Sequence, residues 1–328
     1  MTESQNVLVT GGAGYIGGHT CKRLHSMGYE PIVIDNLSTG HKWAVKWGPL
    51  VEGDVANENL IKSIIKQYSI DTVIHFAANA YVRESVENPR KYYKNNVLGT
   101  INLLNAVLDA GVKHFVFSSS CAAYGIPKNM PITEEHPCRP INPYGESKLF
   151  IENVLKWYGK VYKLNWLALR YFNAAGADPD VVIGEEHDPE THLIPLTIKS
   201  VLGDHPALKV YGTDYPTKDG TTIRDYIHVS DLAKAHVLAI HYLKNGGEST
   251  SMNLGTGNGS SVYDIIKAVE EISNLPVPYK KGEMRQGDPP ILVACAEKSN
   301  RLLNWHPEYK NIKSIIKTAW NWHAEKTT

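Results

Sequence analysis

The 328-residue sequence lacks several features that would assign it directly to a class of protein. It has four cysteines, and no two of them form a Cys-x-x-Cys pair (Cys21, Cys121, Cys138 and Cys295). This spacing disfavours a disulfide framework or a zinc knuckle and is consistent with a reducing cytoplasm. We expect no signal peptide, because no basic segment followed by an apolar one opens the sequence. No apolar run approaches the roughly 18 residues of a membrane span.

The sequence also has no excess of positive or negative charge, because 34 Lys and Arg residues balance 34 Asp and Glu residues. Without basic blocks, nucleic acid and anionic membranes are not expected partners, whereas small ligands are. Among the 14 histidines no pair has the His-Glu-x-x-His spacing, so we predict no metal site. With 42% apolar and 21% charged residues the composition is that of a globular protein. The length favours a large domain and a smaller one.

The first half of the sequence repeats one unit, in which a short apolar run is followed by a loop and a segment of helical period. Nearly continuous apolar runs are typical of parallel strands that are covered on both faces. Helices between such strands predict a doubly wound parallel α/β sheet of the Rossmann type. The predicted strands are 7–10, 31–35, 50–55, 72–77, 114–119 and 166–172, and the predicted helices are 57–68, 97–108 and 144–158.

After residue 172 the pattern becomes irregular. Residues 173–190 are rich in Gly, Pro and acidic residues and predict a long loop near a domain boundary. We predict a Rossmann domain over 1–173 and a smaller, mixed α/β substrate domain over 174–328, with segment 222–256 returning to the first. The later predicted strands are 208–211, 222–229 and 252–255, and the helices are 196–202, 231–243, 262–272, 297–303 and 312–323.

The first predicted strand ends in a glycine-rich loop, and its three motif glycines are Gly11, Gly14 and Gly17. Such glycines allow a tight turn, a close approach of a pyrophosphate to the backbone, and close packing of helix on strand. The helix that follows, opening with Tyr15 and Ile16, directs free N–H groups at the phosphates. A glycine turn needed only for packing is the alternative explanation.

Asp35 ends the second predicted strand, eighteen residues after Gly17, where a carboxylate can accept hydrogen bonds from a ribose diol. The same charge would repel a 2′-phosphate, so NAD is favoured over NADP. Ligands of open parallel sheets bind beyond the carboxyl ends of the strands. Further candidate cofactor residues on this rim are Asn36, Asp54, Val55, Phe76, Ala77, Ala78 and Asn95.

Tyr144 and Lys148 form a Tyr-x-x-x-Lys pair directly after a proline suited to the first turn of a helix. Residues four apart share a helix face, and a nearby cation favours the phenolate of tyrosine. Tyr144 is therefore a candidate base, and Ser120, which follows the fifth predicted strand, can bond a substrate hydroxyl. The pair alone is common in helices without chemistry, but the glycine loop and Asp35 strengthen it.

Together these motifs resemble the extended short-chain dehydrogenase/reductase superfamily and, within it, the UDP-glucose 4-epimerase family. The resemblance covers nearly the whole sequence. Its most specific segment is DYPTKDGT followed by RDYIHV. Other matching segments are VTGGAGYIGGHT, IDNLSTG, HFAA, NNVLGT, FVFSSSCAAYG, NPYGESK, LRYFNAAGADPD, THLIP, NLGTG and RQGDPP.

The resemblance implies an isomerase that interconverts UDP-galactose and UDP-glucose through a 4-keto sugar, with tightly bound NAD. Tyr144 would take the proton of the sugar 4-hydroxyl, Lys148 would hold the nicotinamide ribose and lower the pKa of Tyr144, and Ser120 would bond the reacting oxygen. Sugar 4,6-dehydratases of the superfamily carry an Asp-Glu pair where this sequence has Cys121 and Ala122.

Two other functions remain as alternatives. A UDP-pentose or UDP-uronate 4-epimerase would use the same three residues. A regulatory protein that senses a dinucleotide is disfavoured. Such a protein would not need Ser120, Tyr144 and Lys148, and this sequence has all three. The resemblance also implies a homodimer formed through helices 92–110 and 144–158.

Candidate substrate residues follow from the matching segments. Two arginines can bind a diphosphate bidentately, and a carboxylate can accept from a ribose hydroxyl. The alternatives are a salt bridge from Arg224 to Asp225 or Asp231 and core packing for Tyr226. Phe172 can contact nicotinamide or fill the core. Besides Ser120 and Tyr144, the resemblance assigns to the substrate Asn173, Leu193, Val210, Tyr211, Arg224, Tyr226, Arg285, Asp288 and Leu292.

Some positions depart from the family pattern. Ala80 stands where better-known members have a lysine near the pyrophosphate, which Arg83 could replace. Ala122 replaces a frequent hydroxyl residue and Cys295 a frequent acid. Leu292 occupies the position that gates the sugar pocket, where Tyr restricts the site to unmodified hexoses and small residues admit N-acetylhexosamines. We therefore hypothesise leaky specificity at Leu292.

Overall fold

The first half of the chain alternates strands with helices. The computed structural model describes residues 5–285 and 287–327, and the side chains of all of these except 326 and 327. The elements of this half are β1 (Asn6–Thr10), α1 (Tyr15–Ser26), β2 (Glu30–Asp35), β3 (Leu50–Glu52), α2 (Glu58–Gln67), β4 (Thr72–His75), α3 (Val82–Glu87), α4 (Pro89–Tyr92), α5 (Thr100–Asp109), β5 (His114–Ser120), α6 (Pro143–Tyr162) and β6 (Asn165–Tyr171).

The remaining elements include a long stretch without regular structure between β7 and α7. They are β7 (Asn173–Ala175), α7 (Leu193–Leu202), β8 (Leu208–Tyr211), β9 (Ile223–His228), α8 (Val229–Lys244), β10 (Thr250–Leu254), β11 (Gly259–Ser261), α9 (Val262–Ser273), β12 (Tyr279–Gly282), β13 (Ile291–Leu292), α10 (Glu297–Leu303) and α11 (Ile312–Thr327).

The large sheet has seven parallel strands in the order β10-β6-β5-β4-β1-β2-β3. The order reverses at β1, which pairs with β2 on one side and with β4 on the other. At such a reversal the loops after the two central strands diverge and leave a crevice beyond their carboxyl ends. The predicted doubly wound Rossmann sheet is confirmed, and the crevice lies where the glycine loop follows β1.

The central strands are buried on both faces, as their apolar sequences predict. In β1, Val7 and Val9 pack with α1 and α8, whereas Leu8, on the opposite face, packs with α2, α5 and α6. Alternate residues of one strand thus enter two separate cores. A strand with both faces covered gains from apolar residues at every position, which explains why these runs do not alternate.

A second, smaller layer of structure follows the long loop. Strand β9 pairs with β7, β11 and β13, and β8 pairs with β12 in a separate two-stranded ribbon. Helices α7, α9 and α11 share a core with β8. Within segment 222–256, α8 packs against α1 and β10 joins the large sheet, whereas β9 belongs to the small sheet. The domain boundary at residue 173 stays a prediction.

Several short elements were not predicted. The ribbon strand β12 has the sequence YKKG, and its exposed polar residues carry no strand signal. The predicted helix around 97–108 is regular only from Thr100, because Tyr93–Gly99 forms a π-helical segment. β3 ends at Glu52, three residues earlier than predicted. In the described part of the chain, no helix is both long and apolar enough to cross a bilayer.

Candidate active site

The glycine loop after β1 forms a cradle that side chains would fill. Gly11 has φ +72°, and a Cβ there would lie 2.6 Å from the backbone N of Ala77 at the end of β4. A Cβ on Gly17 would lie 2.2 Å from the carbonyl oxygen of Gly11. Gly14 is the N-cap of α1, and no side chain caps that helix end. The first-turn N–H groups are therefore open to an anion such as a pyrophosphate, and the loop fits the predicted dinucleotide.

Asp35 lies beside this loop at the end of β2. Its Oδ2 accepts a hydrogen bond from the N–H of Ala13 at 3.0 Å, and its Oδ1 accepts one from Leu37 at 2.9 Å. Burial raises the pKa of Asp35, and the two backbone hydrogen bonds oppose that rise. Each carboxylate oxygen keeps a lone pair, so the group can still accept from a ribose diol.

The other candidate cofactor residues lie around the same rim. The Tyr15 hydroxyl donates to the carbonyl of Gly176, which ties α1 to the long loop. The side-chain oxygens of Asn36 and Asp54 accept from backbone N–H groups two residues on, and so shape the turns after β2 and β3. Ile16 and Phe76 pack against one core, Ala77 packs against the other, and Val55 is buried. Ala78 is partly exposed.

Asn96 is an important residue that the sequence reasoning missed. It is buried, and its side chain accepts from the N–H of Asn79 at 2.9 Å and donates to the carbonyl of Asn79 at 2.9 Å. It also donates to Ser147 on α6 at 3.3 Å and accepts from the predicted cofactor residue Asn95 at 3.0 Å. Asn96 thus links the loop after β4 to α6, the helix that carries the candidate base Tyr144. It lies in the π-helical segment, and such segments are frequent at functional sites.

The structure brings the three predicted catalytic residues to one place. Ser120 ends β5, and Tyr144 and Lys148 lie in the first turns of α6. The helix begins where the Asn142 side chain accepts from the N–H of Gly145 at 2.8 Å, and Pro143 occupies the first turn. A cap and a proline at these positions fix the helix start, and therefore the direction of Tyr144.

The pKa values in this site are set first by burial. Burial raises the pKa of Tyr144 to about 12, although a hydrogen bond with Ser120 lowers it. Burial lowers the pKa of Lys148 to about 7. The Lys148 Nζ donates to the carbonyl of Ser118 at 2.8 Å and lies 5.7 Å from the centre of the Tyr144 ring. The predicted lowering of the Tyr144 pKa by Lys148 stays a prediction.

A buried ion pair supports the strand that carries Ser120. Glu152 of α6 accepts from Arg170 of β6 through both oxygens, at 2.8 and 2.5 Å. It also accepts from Ser119 at 2.6 Å and from Ser251 of β10 at 3.0 Å. These bonds hold three strands and α6 in register beside the candidate catalytic residues. The sequence shows only that Glu152 lies four residues after Lys148, on the same helix face, and it does not indicate Arg170 as a partner.

Apart from Ser120 and Tyr144, most candidate substrate residues lie on strands of the small sheet or of the separate ribbon. Leu193 begins α7, and Arg285 and Asp288 lie between β12 and β13. Asn173 of β7 and Tyr226 of β9 are register partners in parallel strands. Arg224 donates to Asp288 at 2.5 Å, which unites two of the predicted residues. The alternative pairing of Arg224 with Asp225 does not occur, because Asp225 accepts from the backbone of Thr256, Gly257 and Ala294. Asp231 likewise accepts from the N–H groups of residues 308 and 309.

Tyr211 and Arg285 lie together on an open groove. The Arg285 guanidinium lies 3.9 Å from the centre of the Tyr211 ring, and both residues line a groove with Lys209, Lys281 and Met284. An aromatic ring and several cations suit a planar base with phosphates. Val210 and Leu193 instead pack their side chains in or against the core of the smaller layer.

The positions that depart from the family pattern are also placed. Leu292 packs against a cluster of Tyr124, Ile132, Phe172 and Ala294, so Phe172 contributes to a core. Arg83 is largely exposed and pairs with Glu87 at 2.8 Å. The other three positions are Ala122, Cys295 and Ala80. The backbone N–H of Ala122 donates to the Ser120 side chain, and that of Cys295 donates to the carbonyl of Ile132. Ala80 is exposed.

Known proteins resemble this chain over nearly its whole length. The family model "Epimerase: NAD dependent epimerase/dehydratase family" matches residues 7–255. A UDP-glucose 4-epimerase of Rhizobium meliloti (strain 1021) is 49% identical, over 99% of this chain and 98% of the relative. The structure of UDP-glucose 4-epimerase from Brucella ovis in complex with NAD has a TM-score of 0.95 at 50% identity, over 96% of this chain and 97% of that one. The Bifidobacterium longum enzyme in complex with NAD+ and UDP has a TM-score of 0.92 at 39% identity, over 98% of both chains.

Proposed function

The chain belongs to the NAD dependent epimerase/dehydratase family, and we propose that it is the isomerase that interconverts UDP-galactose and UDP-glucose with NAD as cofactor. The observation that carries the proposal is the contact of Tyr144 with Ser120 and Lys148, at the same edge of the large sheet as the glycine loop. The similarity to UDP-glucose 4-epimerases spans nearly the whole chain, and it does not favour the pentose and uronate alternatives.

Bound NAD would supply the reversible two-electron chemistry at C4 of the sugar. The glycine loop and Asp35 would hold its pyrophosphate and adenosine ribose. The Tyr144 phenolate would take the proton of the 4-hydroxyl as C4 becomes a ketone, with Ser120 bonding the same oxygen. After the 4-keto sugar has turned over in the pocket, Tyr144 would return the proton to the oxygen on the other face. The net redox change is zero.

Lys148 would serve this proton transfer through its charge. Its ammonium, buried near the Tyr144 ring, would favour the phenolate and would bond the nicotinamide ribose. At C5 and C6 the site offers no pair of acids, because Cys121 and Ala122 follow Ser120. Burial raises the pKa of Cys121 to about 12, so its thiol is a poor proton donor. Elimination of water from the sugar is therefore disfavoured.

The remaining predicted residues would hold UDP across the small sheet. We propose that Arg224 and Arg285 meet the diphosphate, that Asp288 accepts from the ribose, and that Tyr211 stacks on the base. Support comes from the Arg224–Asp288 hydrogen bond and from the Arg285–Tyr211 contact, which join these four residues in two pairs. Asn173 and Tyr226 would face the sugar from adjacent strands, although the Tyr226 side chain is also part of the core of the smaller layer, as its alternative explanation expects.

The direct experiment is to incubate the purified protein with UDP-galactose and no added cofactor. We expect UDP-glucose to form and denatured protein to release NAD, because the cofactor would be held through both steps. Absence of conversion, with and without added NAD, would contradict the proposed function.

Leu292 provides a prediction on specificity. An aliphatic wall discriminates by about 1–3 kcal/mol per methylene, so we expect turnover of UDP-N-acetylglucosamine as well as UDP-glucose. Leu292→Tyr should lower kcat/KM for the acetylated sugar by roughly 10- to 200-fold and leave that for UDP-glucose nearly unchanged. The assay compares both sugars on both proteins. Complete rejection of the acetylated sugar by the unaltered protein would contradict the hypothesis.

We propose a homodimer through the helical face predicted above. The side chains of Phe150, Trp157 and Val161 recur at spacings of seven and four along α6 and are at least half exposed. Leu98, in the adjacent π-helical segment, is 53% exposed. An exposed apolar stripe of this kind is typical of a surface that a partner covers.

Trp157→Glu should therefore convert the dimer into a monomer, because a carboxylate would be buried without a partner in the interface. Sedimentation velocity measures the change. Leu275→Glu is the control, since Leu275 is also exposed but lies beyond α9. A Trp157→Glu protein that sediments like the unaltered dimer would exclude this face.

A reducing cytoplasm is the compartment we propose. All four cysteines are free thiols in the structure. Burial raises the pKa of Cys138, and it raises the pKa of Cys21 beyond the usual range of a thiol. Such thiols are poorly reactive and persist without pairing.

A further inference from the structure

Four potential metal ligands converge on the long loop between β7 and α7. Glu185, His187, Glu190 and His192 each offer one ligand atom, and these atoms lie within 4.8 Å of one another. None of the four was assigned above to the cofactor, the substrate or proton transfer. The search for histidine pairs missed them, because their spacing belongs to an irregular loop and not to one face of a helix.

The two carboxylates of the cluster are buried, the His192 side chain is 41% exposed, and the hydrogen bonding of the cluster is incomplete. The carboxylate side chains of Glu185 and Glu190 are 5% and 4% exposed. His192 Nδ1 lies 2.9 Å from Glu185 and 3.0 Å from Glu190, whereas His187 Nδ1 lies 3.3 and 3.6 Å from the same two carboxylates. Among the described residues, neither His187 Nδ1 nor Glu190 Oε2 has a hydrogen-bond partner, although both are buried. A buried polar atom without a hydrogen-bond partner lowers the stability of the fold. A bound ligand that contacts the atom would remove this penalty.

The charge of the cluster points to a divalent cation. Two ionised carboxylates would leave two uncompensated negative charges in a buried place, which is costly. One divalent cation bound between the two carboxylates would compensate both charges.

The donor set selects the kind of metal. Two imidazole nitrogens with two carboxylate oxygens suit Zn²⁺, whereas Mg²⁺ and Ca²⁺ prefer oxygen ligands alone. A tetrahedral Zn²⁺ separates its ligand atoms by about 3.4 Å, given metal–ligand distances near 2.0–2.2 Å. The four distances between a histidine Nδ1 and a carboxylate oxygen here, 2.9–3.6 Å, bracket that spacing.

We propose that Glu185, His187, Glu190 and His192 form a closed four-ligand site for Zn²⁺ or a divalent transition metal of similar preference. With all four positions taken by protein, the ion has a structural role. The ring of Tyr15, in the glycine loop, meets His187 edge-on at 6.3 Å, and Tyr81 contacts both histidine rings. The ion would therefore hold the long loop against the glycine loop and the start of α3.

The test uses the full chain, freed of metal with EDTA. Titration with Co²⁺ should give the intense visible bands of a tetrahedral ion at one equivalent per chain, and Zn²⁺ should displace it. Glu190→Gln and His187→Ala should each weaken binding at least about tenfold, since the loss of outer partners alone costs 10- to 100-fold. His25→Ala is the control for adventitious binding, because His25 is exposed at the end of α1.

Zn²⁺ should also raise the melting temperature of the unaltered protein and of His25→Ala, and leave that of Glu190→Gln unchanged. A Co²⁺ spectrum without tetrahedral bands in the unaltered protein overturns the proposal, whatever the stability of the variants. Stoichiometric binding that persists unchanged in both loop variants overturns the assignment of the ligands. All these readouts are independent of activity on UDP-sugars, so they can fail while the proposed function holds.

Discussion

Replacement of Tyr144 by Phe is expected to lower kcat for UDP-galactose by roughly 10²–10⁴-fold, the usual contribution of a positioned acid–base group. The substitution removes only the phenolic oxygen that would take the proton of the sugar 4-hydroxyl. The aromatic ring stays, so its edge-on packing against the buried Tyr92 is kept. Binding of NAD and of UDP should remain near that of the unaltered protein.

The control for this variant is Tyr162→Phe, on the same helix but exposed at its end. Steady-state kinetics and calorimetric binding of UDP separate the catalytic loss from a binding loss. Turnover by Tyr144→Phe within tenfold of the unaltered protein would exclude Tyr144 as the base.

Replacement of Lys148 by Met should lower kcat by a similar factor, because it removes a positive charge near Tyr144. Met keeps the length and apolar contacts of the buried stem but removes the ammonium that donates to Ser118. A cation favours the phenolate, so its loss should raise the pKa of Tyr144 and shrink the phenolate fraction at neutral pH. We expect kcat to fall roughly 10²–10⁴-fold near pH 7 and to recover in part as the pH rises.

The measurement is a pH profile of kcat for Lys148→Met beside that of Lys156→Met, an exposed lysine on the same helix. In the Lys148 variant the rising limb should move to higher pH, and in the control it should not move. A loss of activity with the limb unmoved would show that Lys148 acts by position and not by charge.

The fold was predictable because its central strands are apolar throughout and its helices carry regular apolar stripes. The strand-to-helix turn at Gly11–Gly17 and the proline before Tyr144 are encoded in consecutive residues, so they can be recognised from the local sequence. The ribbon of β8 and β12 is different, because exposed Lys280 and Lys281 enter a strand only through pairing with a distant segment. Such tertiary pairing leaves no local pattern.

The catalytic residues of the site were predictable from the sequence, whereas the residues that hold them in place were less so. Ser120, Tyr144 and Lys148 carry recognisable spacing, whereas Glu152 and Arg170 become partners only when α6 packs on β6. Asn95 was the residue predicted from the sequence, whereas Asn96 is the buried residue of that pair, within the π-helical segment. The Glu185–His192 cluster likewise forms from loop geometry that no periodicity describes.

The central claim is that C4 of the sugar is oxidised and reduced within one closed site. The most direct test uses UDP-galactose with deuterium at C4, incubated with purified protein, ordinary water and no added cofactor. We predict UDP-glucose that keeps its deuterium at C4, because the hydrogen passes to bound cofactor and back without meeting solvent. UDP-glucose that has lost the label to water would contradict this account.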